Sequence, residues 1–163
     1  MLNIVLVEPE IPSNTGNIVR TCVATGSVLH LIRPLGFSTD DKMLKRAGLD
    51  YWYDAEIHYY DSFEELRQKY ADKQFFYFST KGQRVYAQAQ FQPDCFLVFG
   101  KETRGLDEQL LHDNYDSTLR VPMKGDTRSL NLSNTVALAV YEALRQQGFA
   151  QLNPTGHLTK FDT

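Results

Sequence analysis

Short, wholly apolar runs alternating with stretches of helical spacing constrain this chain more than any other feature. Leu2–Val7, Val28–Ile32, Phe75–Ser79, Cys95–Phe99 and Thr118–Val121 read as strands. Strands that are apolar throughout belong to a parallel sheet covered on both faces. Between them, Asn14 opens a helix with Ile18, Val19, Cys22 and Val23 as its stripe and Gly26 as its stop. Asp40-Asp41 caps a short basic helix that Gly48 ends, and a small strand near Glu56–Tyr59 follows. Ser62-Phe-Glu-Glu65 is a capping box for a helix to about Tyr70, and residues 108–114 suit another short helix. Leu132, Val136, Ala139, Val140, Ala143 and Leu144 recur at helical spacing, with Gly148 as the stop. The predicted fold class is α/β, a mostly parallel sheet with helices on both faces. The length of 163 residues fits a single domain, residues 1–163, with 151–163 a loose tail.

Charge and composition narrow the function classes. The net charge of -3 argues against coating nucleic acid through bulk positive potential. Local basic stretches remain: Lys42, Lys45 and Arg46; Lys81 and Arg84; Arg120, Lys124 and Arg128. Each reads as a solvated face unless the fold gathers it around one cleft. No apolar run reaches membrane-spanning length, and no secretory leader precedes the first strand. Cys22 and Cys95 lie far apart in apolar surroundings, as in a reduced cytoplasmic protein.

Familiar α/β signatures fail when tested. A dinucleotide site needs G-x-G-x-x-G after the first strand, but Glu8-Pro-Glu-Ile-Pro-Ser-Asn-Thr-Gly16 stands there. Gly100-Lys101 is followed by Glu102, and Cys95 takes the first glycine position of a P-loop. His30, His58, His112 and His157 are scattered, no C-x-x-C exists, and the G-x-S-x-G elbow is absent.

What remains is polar density in three loops at strand ends. They are Asn14-Thr-Gly-Asn-Ile-Val-Arg20, Phe99-Gly-Lys-Glu-Thr-Arg-Gly-Leu106, and Val121-Pro-Met123 with Ser129-Leu-Asn-Leu-Ser-Asn134. Ligands of open α/β sheets bind beyond the carboxyl ends of the strands. Taken singly, Asn14 and Asn131 also read as helix caps, Glu102 as a turn residue and Arg20 as a solvated charge.

In that order the three loops resemble the SpoU branch of the SPOUT superfamily of RNA methyltransferases. The likeness covers residues 1–150 and extends to Arg46-Ala-Gly-Leu-Asp50 and Ser79-Thr-Lys-Gly82. It is greatest to the minimal members that methylate the ribose 2′-hydroxyl of the wobble cytidine or uridine of tRNA; related members act on ribosomal RNA. The resemblance implies a deep C-terminal trefoil knot, which periodicity alone would reject. It implies S-adenosylmethionine as cofactor, with no metal. The partners it implies are the anticodon region of tRNA and a second copy of the chain, with neither membrane nor DNA. Pairing through the first and last helices is expected, on the apolar Ile18, Val19, Val23 and Val136–Leu144. An RNA-binding module that lost the transfer is the non-enzymatic alternative.

The resemblance also assigns residues. Phe78, Gly100, Val121, Ser129 and Leu130 would hold the cofactor, and Asn14 and Glu102 would brace the site. Arg20 would meet the target hydroxyl, with Ser129 and Asn131 near the transferred methyl. Lys81, Arg84, Lys101, Arg104 and Arg128 flank these loops and are candidates for RNA binding. Lys101 departs from the proline of many relatives. A guanidinium resists deprotonation, so two roles for Arg20 stay open: a base, or a group that orients the hydroxyl and stabilises developing oxyanion charge.

Overall fold

The computed structural model describes residues 1–40, 42, 44, 46 and 51–162. Asp41, Lys45, Gly48 and the resembling stretch 47–50 lie outside the described residues. Seven strands form one sheet: β1 (Asn3–Val7), β2 (Val28–Ile32), β3 (Ile57–Tyr60), β4 (Phe75–Phe78), β5 (Arg84–Val85), β6 (Phe96–Phe99) and β7 (Thr118–Arg120). Their order is β3-β2-β1-β6-β4-β7-β5, and every pairing is parallel. Helices α1 (Pro12–Thr25), α2 (Phe63–Lys69), α3 (Glu108–Asp113) and α4 (Leu132–Gln146) cover it.

The apolar strands do what their composition demands. Side chains alternate across a strand, so Ile4, Leu6, Phe76, Phe78, Leu97 and Phe99 face one cluster with α1 and α4. Val5, Phe75, Tyr77, Phe96 and Val98 face a second cluster with Phe63, Leu66 and Leu111. The stripe expected to mediate pairing is spent inside the chain. Ile18, Val19, Val136, Val140 and Ala143 are fully buried in the first cluster. Val23 is half-buried, and Leu138 and Tyr141 are the large apolar side chains that α4 leaves exposed.

Helix α1 begins earlier than its sequence signal suggests. Pro12 occupies its first turn, where a missing N–H costs nothing. No side chain caps it; Glu102, far along the chain, instead holds the Glu10 and Ile11 N–H groups just ahead of it. Its other end follows the expected rule, with Gly26 in the left-handed conformation at φ 67. Asn131 caps α4, accepting from the backbone N–H groups of Ser133 and Asn134.

The short strand β5 escaped the sequence reading because it has only Arg84 and Val85. Its position shapes the site. Phe78 and Arg84 both stand level with Leu119, so β7 lies between β4 and β5. Residues 79–83 therefore cross directly over β7. Parallel strands normally need a dozen or more residues for such a crossing. Here Gly82 lies so close that a Cβ would come within 2.8 Å of the Leu119 carbonyl carbon. The crossing is pinned by Ser79 N–H donating to Leu119 O at 3.0 Å and by Tyr115 Oη donating to Lys81 O at 2.9 Å. The Arg120 guanidinium adds a bond to Thr80 O.

Candidate active site

A cavity of about 550 Å³ opens beyond the carboxyl ends of the central strands. Its wall comes from the loops after β1, β4, β6 and β7, which are far apart in sequence. Phe78, Phe99, Leu119, Val121 and Leu130 supply apolar surface, and Gly100 brings main chain to the edge. A Cβ on Gly100 would sit 2.2 Å from the Gly105 carbonyl carbon, so only glycine lets this loop close on itself. Asn14, Glu102, Ser129 and Asn131 also line the cavity, as do Lys81, Lys101, Arg104 and Arg128. Arg84 does not line it; its guanidinium donates to Asp116 O at 3.2 Å.

A hydrogen-bonded chain ties the loops together. Asn131 Oδ1 is taken by the Ser133 N–H, the Ser133 hydroxyl and the Asn134 N–H, at 3.0, 2.6 and 3.3 Å. Its Nδ2 therefore faces outward and donates to Asn14 Oδ1 at 3.0 Å. That leaves Asn14 Nδ2 directed at Glu102 Oε2, at 3.5 Å. The Glu102 carboxylate accepts from the Glu10 and Ile11 N–H groups at 2.9 and 2.6 Å, just ahead of α1. A carboxylate at a helix N-terminus also complements its dipole. Asn131 thus stands on the cavity wall with its oxygen capping α4 and its amide nitrogen bracing Asn14.

Sequence reasoning missed Glu10 and Thr103. Glu10 returns the contact that Glu102 makes, accepting from the Thr103 N–H at 3.0 Å and its hydroxyl at 2.8 Å. These donors, the backbone N–H first, hold the Glu10 carboxyl below its ordinary range. The two loops thus exchange carboxylates. Lys101 adds an ion pair with Glu8 at 3.5 Å, and Glu8 itself has φ 53. No local signal could have revealed this clasp, because each partner is an ordinary loop residue in its own stretch of chain.

Arg20 lies elsewhere. It lines a separate groove of about 350 Å³ between α1 and α4, with Asn17, Thr21, Ser133, Asn134 and Tyr141. Its guanidinium carbon sits 5.0 Å from the centre of the Tyr51 ring. Arg20 follows Asn14 along α1 by about 9 Å of rise. Cavity and groove therefore share α1 and the start of α4, and the cavity itself contains no part of Arg20.

The residues fit a nucleoside cofactor better than a metal. Pockets of about 300–1,000 Å³ with apolar walls and a few polar groups suit small organic ligands. Among the described residues, no group of His, Cys, Asp and Glu is arranged to hold a metal ion. Both cysteines are free and buried, and burial pushes each thiol up to about 12. They are not nucleophiles.

The profile of the SpoU rRNA Methylase family matches residues 1–141. A protein from Geobacillus stearothermophilus is 56% identical over 155 residues, spanning 93% of this chain and 99% of its own. One from Saccharophagus degradans, 48% identical over 153 residues and spanning 92% and 98%, bears the name tRNA (cytidine(34)-2′-O)-methyltransferase. A solved structure described as giving insight into 2-OH methylation of C/U34 on tRNA superposes with a TM-score of 0.87. It shares 45% identity, over 91% of this chain and 97% of that one.

Proposed function

This chain belongs to the SpoU rRNA Methylase family, and from that premise we propose that it is a tRNA 2′-O-methyltransferase. It transfers a methyl group from S-adenosylmethionine to the ribose 2′-hydroxyl of the wobble cytidine or uridine. The observation that carries the reading is the cavity formed where four loops meet, walled by apolar side chains and main chain and flanked by cations. The cofactor, when bound, supplies an electrophilic methyl on sulfur.

The chain's own part is to bind, orient and attract. Phe78, Val121 and Leu130 offer apolar walls for a base, and Gly100 offers a close main-chain edge. Ser129, exposed at the rim, is within the set that can meet the ribose oxygens. Exposed Lys81, Arg104 and Arg128 suit RNA phosphates locally, despite the acidic net charge. Lys81 shares its charge with Glu108 at 2.8 Å and Lys101 with Glu8 at 3.5 Å, so these two are the weaker candidates. Arg20, outside the cavity, meets the target hydroxyl only where RNA bridges the groove and a cavity. Pairing of two chains across α1 and α4 supplies that bridge, and exposed Leu138 and Tyr141 are its apolar contacts. The reading includes a trefoil knot, supported by the crossing of residues 79–83 over β7, and a cytoplasmic location beside tRNA.

The test is methylation of a tRNA anticodon-arm transcript by purified protein, with nuclease mapping of the modified ribose. A 2′-O-methyl group at the wobble position is expected. Modification of ribosomal RNA fragments alone would overturn the substrate. Sedimentation at micromolar concentration should give twice 18.7 kDa.

A further inference from the structure

We infer that Tyr51 is a positioning residue for the methyl transfer, its ring holding the Arg20 guanidinium in the α1–α4 groove with the N–H donors free. This rests on the role of Arg20 proposed above.

Among the described residues, three arginines lie over aromatic rings, and they differ in what else they bind. Arg33, over Tyr59, also binds Asp61 at 3.1 Å. Arg67, over Phe75, donates to the Tyr70 and Ala71 carbonyls. Arg20, over Tyr51, has neither a carboxylate nor a carbonyl partner among the described residues. The groove around it is lined by Asn17, Thr21, Ser133, Asn134 and small or aromatic residues, with no acid.

That arrangement differs chemically from an ion pair. A carboxylate would fix the guanidinium by consuming its donors and cancelling its charge. An aromatic face attracts the cation and consumes no N–H. The planar fork then stays available for the oxygens of a ribose or phosphate. The ring is itself well anchored. Tyr51 packs half-buried against the core cluster beneath α1. Its carbonyl accepts the Asp54 N–H at 3.0 Å, at the start of the 3-10 turn Trp52–Asp54. A group held this way acts as a prepositioned cation, which favours the orienting role of Arg20 over that of a base.

The test is a double-mutant cycle read by single-turnover methylation of tRNA at saturating S-adenosylmethionine. Cofactor affinity is measured by calorimetry and folding by thermal melting. Tyr51→Phe keeps the face and should stay within twofold of the wild-type rate. Tyr51→Leu removes it and should lose about tenfold, with cofactor affinity unchanged because neither residue lines the cavity. In an Arg20→Ala background, Tyr51→Leu should have no further effect. Additive losses, or a wild-type rate for Tyr51→Leu, would overturn the inference. Equal impairment of Tyr51→Phe and Tyr51→Leu would assign the effect to the hydroxyl and overturn it too. Wild-type protein that neither binds S-adenosylmethionine nor methylates tRNA would instead overturn the function proposed above, and a full rate for Arg20→Ala would remove Arg20 from it.

Discussion

The cavity and the α1–α4 groove share a helix yet are built by opposite means. Around the cavity, polar groups are satisfied by partners from distant loops: Asn131 binds Asn14, and Glu102 and Glu10 exchange carboxylates. In the groove the principal charge, on Arg20, has an aromatic face and no hydrogen-bond partner among the described residues. The first region is complete within one chain; the second presents donors to something outside it. A site can thus be rigid where it must recognise a cofactor and unsatisfied where it must receive RNA.

The strongest way to break this contrast is at Gly100. Its Cβ would meet the Gly105 main chain at 2.2 Å, which no rotamer change relieves. Gly100→Ala should cost about 3 kcal/mol of stability and abolish cofactor binding. Chemical denaturation and calorimetry read both, and a variant normal in both would show the cavity to be pliable.

Glu102 tests the brace itself. Glu102→Ala removes two charge-assisted acceptors from the start of α1. We expect a loss of about 2 kcal/mol and a roughly tenfold weaker cofactor complex. Arg20→Ala, by contrast, should change stability by less than about 0.5 kcal/mol. If the two variants melt alike, the brace contributes nothing.

The largest acid sensitivity should lie outside both regions. His30 is buried on β2, bonded to Tyr60 Oη and Asn3 Oδ1. Burial, followed by the charges of His58 and Lys69, depresses its pKa from 6.5 to about 3. The unfolded chain then takes up the proton first. The stability from this group is fully present above about 6.5 and falls as pH drops toward 3, by up to about 1.4 kcal/mol per pH unit. His30→Leu should flatten that slope in denaturation measured between pH 4 and pH 7, and an unchanged slope would place the acid sensitivity elsewhere.

The smallest effects concern the rim. Lys81→Ala and Arg128→Ala should each lower the slope of log affinity for tRNA against log salt by about 0.7–0.9. Arg84→Ala should lower it less, since Arg84 is tied to Asp116 O away from the cavity. Equal slopes for all three variants would mean that cavity placement does not select the RNA contacts.

Local rules determined much of the molecule. Wholly apolar strands require cover on both faces, and the alternation of their side chains divides the two clusters. The cap at Asn131 and the stops at Gly26 and Gly148 need only neighbouring residues, so they were legible too. The grouping of three polar loops followed from their places at strand ends, and their motifs pointed to the family. Distant contacts decided the rest. The chain entering α1 at Pro12 is held by Glu102, across some ninety residues. Glu10 and Thr103 became partners only when two loops met, and Arg20 proved separate from the cavity because α1 carries it past the rim. The crossing of Gly82 over β7 depends on a two-residue strand with no periodicity to read. Short-range steric and capping preferences are written in adjacent residues, whereas a hydrogen bond between loops exists only after the sheet has brought its strand ends together.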